Sequence, residues 1–382
     1  MREPSILSGR SAEPGLLDKL LSINWGLVLL ICLVASIGFA MQYSAAGGNL
    51  EPWAGRQMVR FGVGVVLMVG VAVVHLRWWY LLAYPVYAAG LVLLVAVEIF
   101  GRIGMGAQRW IDLGIVQFQP TEVMKFGLVL VLARYFHGLP QETVARPATL
   151  VWPALLGLVP AVLVAKQPDL GSALLLLILT ASMLFLAGVR IWKFLAVGAA
   201  VMAALPIAWT GLRDYQKQRV LVFLNPENDP LGSGYHIIQS KIALGSGGIW
   251  GKGFMQGTQS HLQFLPEKQT DFIFTMFAEE FGLAGGMLLL VLYSAILIHG
   301  TMIALAARSQ FGRLVASGIM VAFWVYAFIN IAMVTGLIPV VGEPLPLVSY
   351  GGTALMALMI SFGLVINVSV HRNAQVRAGD EL

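Results

Sequence analysis

Ten apolar runs, each about as long as a bilayer crossing, follow one another along this 382-residue chain and leave few folds open to it. They fall near 22–42, 58–76, 79–100, 120–137, 149–166, 169–188, 191–210, 271–299, 313–337 and 350–370. Hydrocarbon about 30 Å thick is crossed by about twenty helical residues. Its lack of water obliges each backbone amide to find a partner within the protein, which a helix provides. Only 11% of the residues are charged and 58% are hydrophobic, against roughly a quarter charged in soluble domains. The sequence therefore predicts an all-α integral membrane protein of about ten transmembrane helices. Its 42 glycines and 17 prolines suit helices that approach one another closely.

The same composition excludes other classes. Cys32 is the only cysteine and lies in an apolar run, so an internal disulfide or a cysteine-ligated metal is ruled out. No basic stripe interleaves with aromatics, so nucleic acid is not a partner. The first apolar run is too long for a signal-peptide core and reads as a retained span. Loop cations set the orientation. The N-terminal tail, Arg77, Arg134 with Arg146, Arg190 with Lys193, Arg308 with Arg313, and the tail with His371, Arg372 and Arg377 all fall on one side, which the positive-inside rule makes cytoplasmic. The expected layout is a cytoplasmic tail over 1–21, a membrane domain over 22–370 and a cytoplasmic tail over 371–382. A large extracytoplasmic loop, 211–270, joins helices seven and eight.

That loop is far longer than a connection requires, which marks it as functional. Two short interfacial helices are expected in it, around Tyr215–Phe223 and Tyr235–Leu244, with a turn at Asn225-Pro226-Glu227-Asn228-Asp229-Pro230 between them. It carries Arg219, Lys241, Lys252 and Lys268 and ends at Asp271, where the next apolar run begins. At a helix start an acid, or the preceding Thr270, most often serves as an N-cap. The cationic loop above Asp271 favours chemistry on an anionic lipid-linked substrate instead. Glu122 and Lys125, three apart in the fourth run, share a helix face within pairing reach, either as a structural ion pair or as part of a binding path. Glu279 and Glu280 are expected to pair with polar groups inside the bundle. Glu343 precedes Pro344-Leu345-Pro346 in an outward connection, and no pair of broken helices is expected. Gly245–Gly253 fails the phosphate-loop pattern, with Ser246 and Gly253 at its fixed positions. The six histidines show no metal-ligand spacing.

Taken in order, several motifs resemble one family. They are Arg109-Trp110-Ile111-Asp112-Leu113-Gly114, Gln119-Pro120-Thr121-Glu122, Gln167-Pro168-Asp169-Leu170-Gly171, Gly234-Tyr235-His236-Ile237-Ile238-Gln239-Ser240, Phe264-Leu265-Pro266-Glu267 through Thr270-Asp271-Phe272, and Pro346-Leu347-Val348-Ser349-Tyr350-Gly351-Gly352. Together they resemble the SEDS family (shape, elongation, division and sporulation). Ile111–Ile115, Leu224-Asn225-Pro226 and Val340-Val341-Gly342 make the elongation member a better match than the division member. Thr121, Lys268-Gln269 and Thr353 are mild departures.

The resemblance implies a peptidoglycan glycosyltransferase that polymerises lipid II at the outer face of the bacterial cytoplasmic membrane. It would work with a class B penicillin-binding protein and other elongation-complex proteins. Asp271 matches the family's essential acid, and Glu122 with Lys125 its intramembrane pair. Lipid II already carries a diphosphate leaving group, so one base and charge neutralisation suffice. Asp271 is the expected base. Arg109, Arg219, Lys241, Lys252 and Lys268 are the candidates to hold diphosphates, and Ser349 joins them as a binding residue through its motif. A divalent cation, Mg or Mn, has a role open to it, but no dedicated metal site is visible. The competing expectations are a lipid II flippase using the same cavity, a scaffold without activity, and the division homologue with the same chemistry.

Overall fold

The computed structural model describes residues 15–104, 107–112, 117–144, 146–211, 214–228, 233–262 and 267–374. Ten long helices match the ten apolar runs. They are α1 (Trp25–Ala45), α2 (Ala54–Val73), α3 (Leu76–Phe100), α4 (Pro120–His137), α5 (Pro147–Lys166), α6 (Leu170–Leu186), α7 (Ile191–Gly211), α8 (Ile273–Ala306), α9 (Gln310–Val334) and α10 (Gly352–Val370). Seven of them, all but α4, α6 and α7, are long and apolar enough to cross a membrane. α4 carries Glu122, Lys125 and Arg134, and α6 is 17 residues long. Between α7 and α8 lie the helices Asp214–Leu224 and Ser233–Ser246, where the sequence predicted two. Phe264-Leu265-Pro266, Asp229-Pro230, Leu113-Gly114 and Arg377, singled out in the sequence, lie outside the described residues.

Two features depart from the sequence reading. A three-stranded antiparallel ribbon, β1 (Arg102–Gly104), β2 (Ala107–Asp112) and β3 (Gln117–Phe118), fills the connection between α3 and α4. The second is a break in α8 at Gly282, at φ 65° and ψ −164°. That left-handed backbone suits glycine. The segment 248–253 inserts into the break, where Lys252 and Gly253 amides donate to Glu279 and Glu280 carbonyls, and Leu283 and Ala284 amides donate to Gly248 and Ile249 carbonyls. The uninterrupted helix expected over 271–299 is thus corrected. Two donors and two acceptors supplied by the 248–253 segment replace local helical bonding, and hydropathy does not register that exchange.

The bundle interior is held by aromatic stacking and by polar groups that rescue exposed backbone. Tyr293, Phe323 and Phe362 stack across α8, α9 and α10 with ring centroids 5.4 and 5.3 Å apart. Each of three in-helix prolines removes the bond to the carbonyl four residues earlier, and each freed carbonyl meets a side chain from another helix. Arg134 of α4 donates to Leu81 O, freed by Pro85, at 3.0 Å. Tyr135 donates to Thr149 O, freed by Pro153, at 2.8 Å. Tyr87 donates to Leu156 O, freed by Pro160, at 2.7 Å. Close approach elsewhere depends on glycine: a Cβ on Gly38 of α1 would lie 2.7 Å from Val348 Cα.

Candidate functional site

The connection between α9 and α10, residues 335–351, folds back into the bundle and organises the chemistry-bearing residues. Ser349 Oγ donates to Thr270 O at 2.6 Å and accepts from Leu345 N at 2.8 Å, while Tyr350 N donates to Gln269 O at 2.9 Å. Asn330 Nδ2, fully buried on α9, donates to Asp271 O at 2.9 Å and to Glu343 O at 2.8 Å. The backbone on both sides of Asp271 is therefore fixed. Its carboxylate is treated differently: α8 starts at Ile273 behind an N-cap position held by Phe272, with no side-chain cap. Asp271 does not cap the helix, and neither does Thr270, whose hydroxyl bonds Glu267 O and Oε2. Among the described residues no hydrogen bond reaches the Asp271 carboxylate. Burial, and then the negative charge of Glu267, push it up to about 6 from an ordinary 3.8. Burial also lowers the neighbouring Lys268 ammonium.

A second cluster lies deeper. Lys125 Nζ bonds Glu122 Oε1 at 2.9 Å, sits 3.9 Å from Glu343 Oε2, and lies 4.3 Å over the Tyr326 ring. Ser172 Oγ donates to Glu343 Oε1 at 2.8 Å. Beside them Arg109 on β2 donates to Pro168 O and approaches Asp169 Oδ2 at 3.9 Å, while Asp169 caps α6 through Ser172 N. Three buried acids thus share two cations. Burial lifts Glu343 up to about 7, against the pull of Lys125 and with the repulsion of Asp169 and Glu122. The Glu122–Lys125 pair has the geometry read from its spacing. Glu343, Asp169, Tyr326 and Asn330 complete the site without having been singled out for it. Gln167-Pro168-Asp169 and Glu343-Pro344 were visible as local motifs, but their meeting depends on the fold.

Lys125 opens onto a groove of about 720 Å³, counting its open mouth, between α4, α9, α10 and the 344–351 segment. Phe126, Phe323, Leu355 and Leu358 make most of its walls apolar, and Ser349 also lines it. Asp271 and Arg109 do not line it. Asp271 is instead joined to the groove wall through the Ser349–Thr270 bond.

The loop cations that are described have different surroundings. Lys252 Nζ bonds the fully buried Glu279 Oε1 at 2.7 Å and Thr258 Oγ1 at 2.7 Å, and Gln259 N adds a third donor to Glu279. Glu280, equally buried, accepts from Ser44 Oγ at 2.5 Å, so both acids find the interior partners expected of them. Lys241 is exposed on the Ser233–Ser246 helix. Arg219 belongs to the Asp214–Leu224 helix, and its side chain lies outside what is described. Among the described residues no three His, Cys, Asp or Glu side chains gather as a metal site.

The FtsW, RodA and SpoVE family, described as cell cycle protein, matches residues 18–374, and the chain belongs to it. It is 46% identical over 349 residues to peptidoglycan glycosyltransferase MrdB of Escherichia coli K12, covering 90% of this chain and 93% of that one. A probable peptidoglycan glycosyltransferase FtsW of Trichlorobacter lovleyi is 38% identical, covering 91% and 93%. The similarity therefore favours the elongation member. Among solved structures, one described as structural coordination of polymerization and crosslinking by a peptidoglycan synthase complex matches at TM-score 0.81 and 36% identity, covering 93% of this chain and all of that one. The rod shape determining protein RodA of Thermus thermophilus matches at TM-score 0.71 and 32% identity, covering 93% and 99%. The chain is a multi-pass protein of the bacterial inner membrane.

Proposed function

We infer that this chain is a peptidoglycan glycosyltransferase of the elongation type, polymerising lipid II with Asp271 as general base. The observation that carries the reading is the state of that carboxylate: its backbone is pinned on both sides and its oxygens accept no hydrogen bond among the described residues, while burial and Glu267 push it up to about 6. A base whose pKa lies close to neutrality is both ionised and able to take a proton. In the proposed step Asp271 removes the proton from the acceptor sugar's 4-hydroxyl. The freed oxygen attacks the anomeric carbon of the growing chain, the bond from that carbon to the diphosphate oxygen breaks, and undecaprenyl diphosphate leaves with inversion.

The groove between α4, α9 and α10 suits a polyprenyl chain. Arg109, Arg219, Lys241 and Lys268 supply positive charge for the diphosphates, with Ser349 setting the turn that carries Asp271. Lys252 is already engaged by Glu279 and is the weakest member of the expected set. Glu122 and Lys125 mark the inner end of the lipid path. In this reading the chain has ten spans with both tails, 1–21 and 371–382, in the cytoplasm, and the site faces outward. The partner is a class B penicillin-binding protein, in keeping with the match to a synthase complex that couples polymerization to crosslinking.

The test uses purified protein and its partner in detergent with lipid II as substrate. Wild type should form glycan polymer and Asp271→Asn should not. Polymer from the variant removes Asp271 from the mechanism, and translocation of labelled lipid II without polymer moves the assignment to a flippase.

A further inference from the structure

Three groups with nothing negative to face meet at the start of α10. The helix opens behind Gly351, which has no side chain to cap the first-turn amides. Such an end carries about half a positive charge and a set of unsatisfied donors. Arg60, in the second turn of α2, lies 5.1 Å over the Tyr350 ring, and a Cβ on Gly352 would stand 3.3 Å from its Cζ. One turn away Arg56 pairs with Glu51 at 3.1 Å, whereas among the described residues no carboxylate reaches Arg60. A cation beside a helix N-terminus is electrostatically unfavourable until an anion joins them. The third group is Thr353, 8% exposed, whose hydroxyl has no hydrogen-bond partner among the described residues. Cα–Cβ bonds in a helix lean toward its N-terminus, the end at which Thr353 stands. Buried donors are otherwise nearly always satisfied.

The location gives the arrangement a use. Gly351, Ala354 and Leu355 line the apolar groove, and Tyr350 N holds Gln269 O, two residues before Asp271. We propose that the N-terminus of α10, with Arg60 and Thr353, binds a phosphate group of a lipid whose chain occupies the α4–α9–α10 groove. Under the function inferred above, on which this part rests, that lipid is the diphosphate-linked substrate or the prenyl diphosphate it releases. Helix-end amides with an added arginine are a recurrent phosphate cradle, and the groove adds the selectivity for a long-chain lipid.

Native mass spectrometry of the purified full chain, titrated with undecaprenyl diphosphate or with phosphatidylglycerol, separates the two lipid sources of phosphate. Arg60→Met should weaken undecaprenyl diphosphate about tenfold or more, the usual scale of a charge-assisted contact. Thr353→Val should weaken it less, Arg60→Lys should recover part of the loss, and phosphatidylglycerol binding should not change. Unaltered undecaprenyl diphosphate affinity in Arg60→Met overturns the site. Equal loss for both lipids overturns its assignment to the substrate and leaves a general anionic-lipid site. If Arg60→Met does not fold, Gly352→Ala, which pushes the guanidinium aside, gives the same reading. Binding is measured without turnover, so polymer formation by Asp271→Asn would remove the base and leave this site to its own result.

Discussion

Asp271 and Glu279 stand eight residues apart at the start of α8, and the bundle treats their carboxylates in opposite ways. Glu279 is fully buried and receives an ammonium, a hydroxyl and a backbone amide. Asp271 is only partly buried, receives none of these among the described residues, and has its backbone tied down by Asn330 and Ser349. Donors that saturate an acid fix its charge and make it structural, because removing them strands a charge in low dielectric. Withholding donors while fixing the main chain leaves a lifted pKa and open lone pairs, which general-base chemistry needs.

Asp271→Asn tests the contrast most severely. It should lower glycan synthesis by about 10²- to 10⁴-fold, the range for loss of a general base, while the melting temperature in detergent stays at the wild-type value because no hydrogen bond is lost. A destabilised Asp271→Asn protein would mean that this acid too is structural. Lys252→Met should behave in the reverse manner. Stranding Glu279 should cost about 3 kcal/mol of stability in a denaturant titration, at the low end because the Lys252 side chain is 25% exposed, with activity per folded molecule much closer to wild type.

Asn330→Ala falls between the two, since it removes the donor shared by Asp271 O and Glu343 O. It should cost about 1–3 kcal/mol for buried carbonyls left unpaired and also lower kcat. Loss of stability with kcat unchanged would detach Asn330 from the site. The smallest effect sharpens the comparison through pH. With Asp271 near 6, the rate should fall as pH drops through that value, because a protonated carboxyl accepts no proton. Glu267→Gln removes the neighbouring negative charge that favours the neutral acid, so the acid limb of the pH–rate profile should move to lower pH. An unmoved limb would assign the lifted pKa to burial alone.

Each of the ten apolar runs overlaps a long helix, seven of them long and apolar enough to cross a membrane, because hydrocarbon imposes length and composition on a crossing. Glu122 with Lys125 was legible for the same local reason, since helical spacing alone brings them together. The role of Glu343 was not, because Lys125 and Ser172 reach it from positions more than 170 residues earlier in the chain. Lys252 illustrates the opposite error. It reads as a free loop cation until the insertion of 248–253 into the α8 break carries it to Glu279. The β ribbon was missed because its strands are only two to six residues long and leave no sustained alternation.

The proline-freed carbonyls of α3 and α5 bear on how these helices find one another. Leucine against leucine in a lipid setting is nearly indifferent to sliding or rotation, since acyl chains are equally good neighbours. An unanswered oxygen at Leu81, Thr149 or Leu156 is not indifferent. Each can be answered only from one height and one direction, by Arg134, Tyr135 or Tyr87. Three residues best known for disrupting helices thereby act as docking addresses, fixing the register of α3, α4 and α5 where greasy surfaces alone would leave it undetermined.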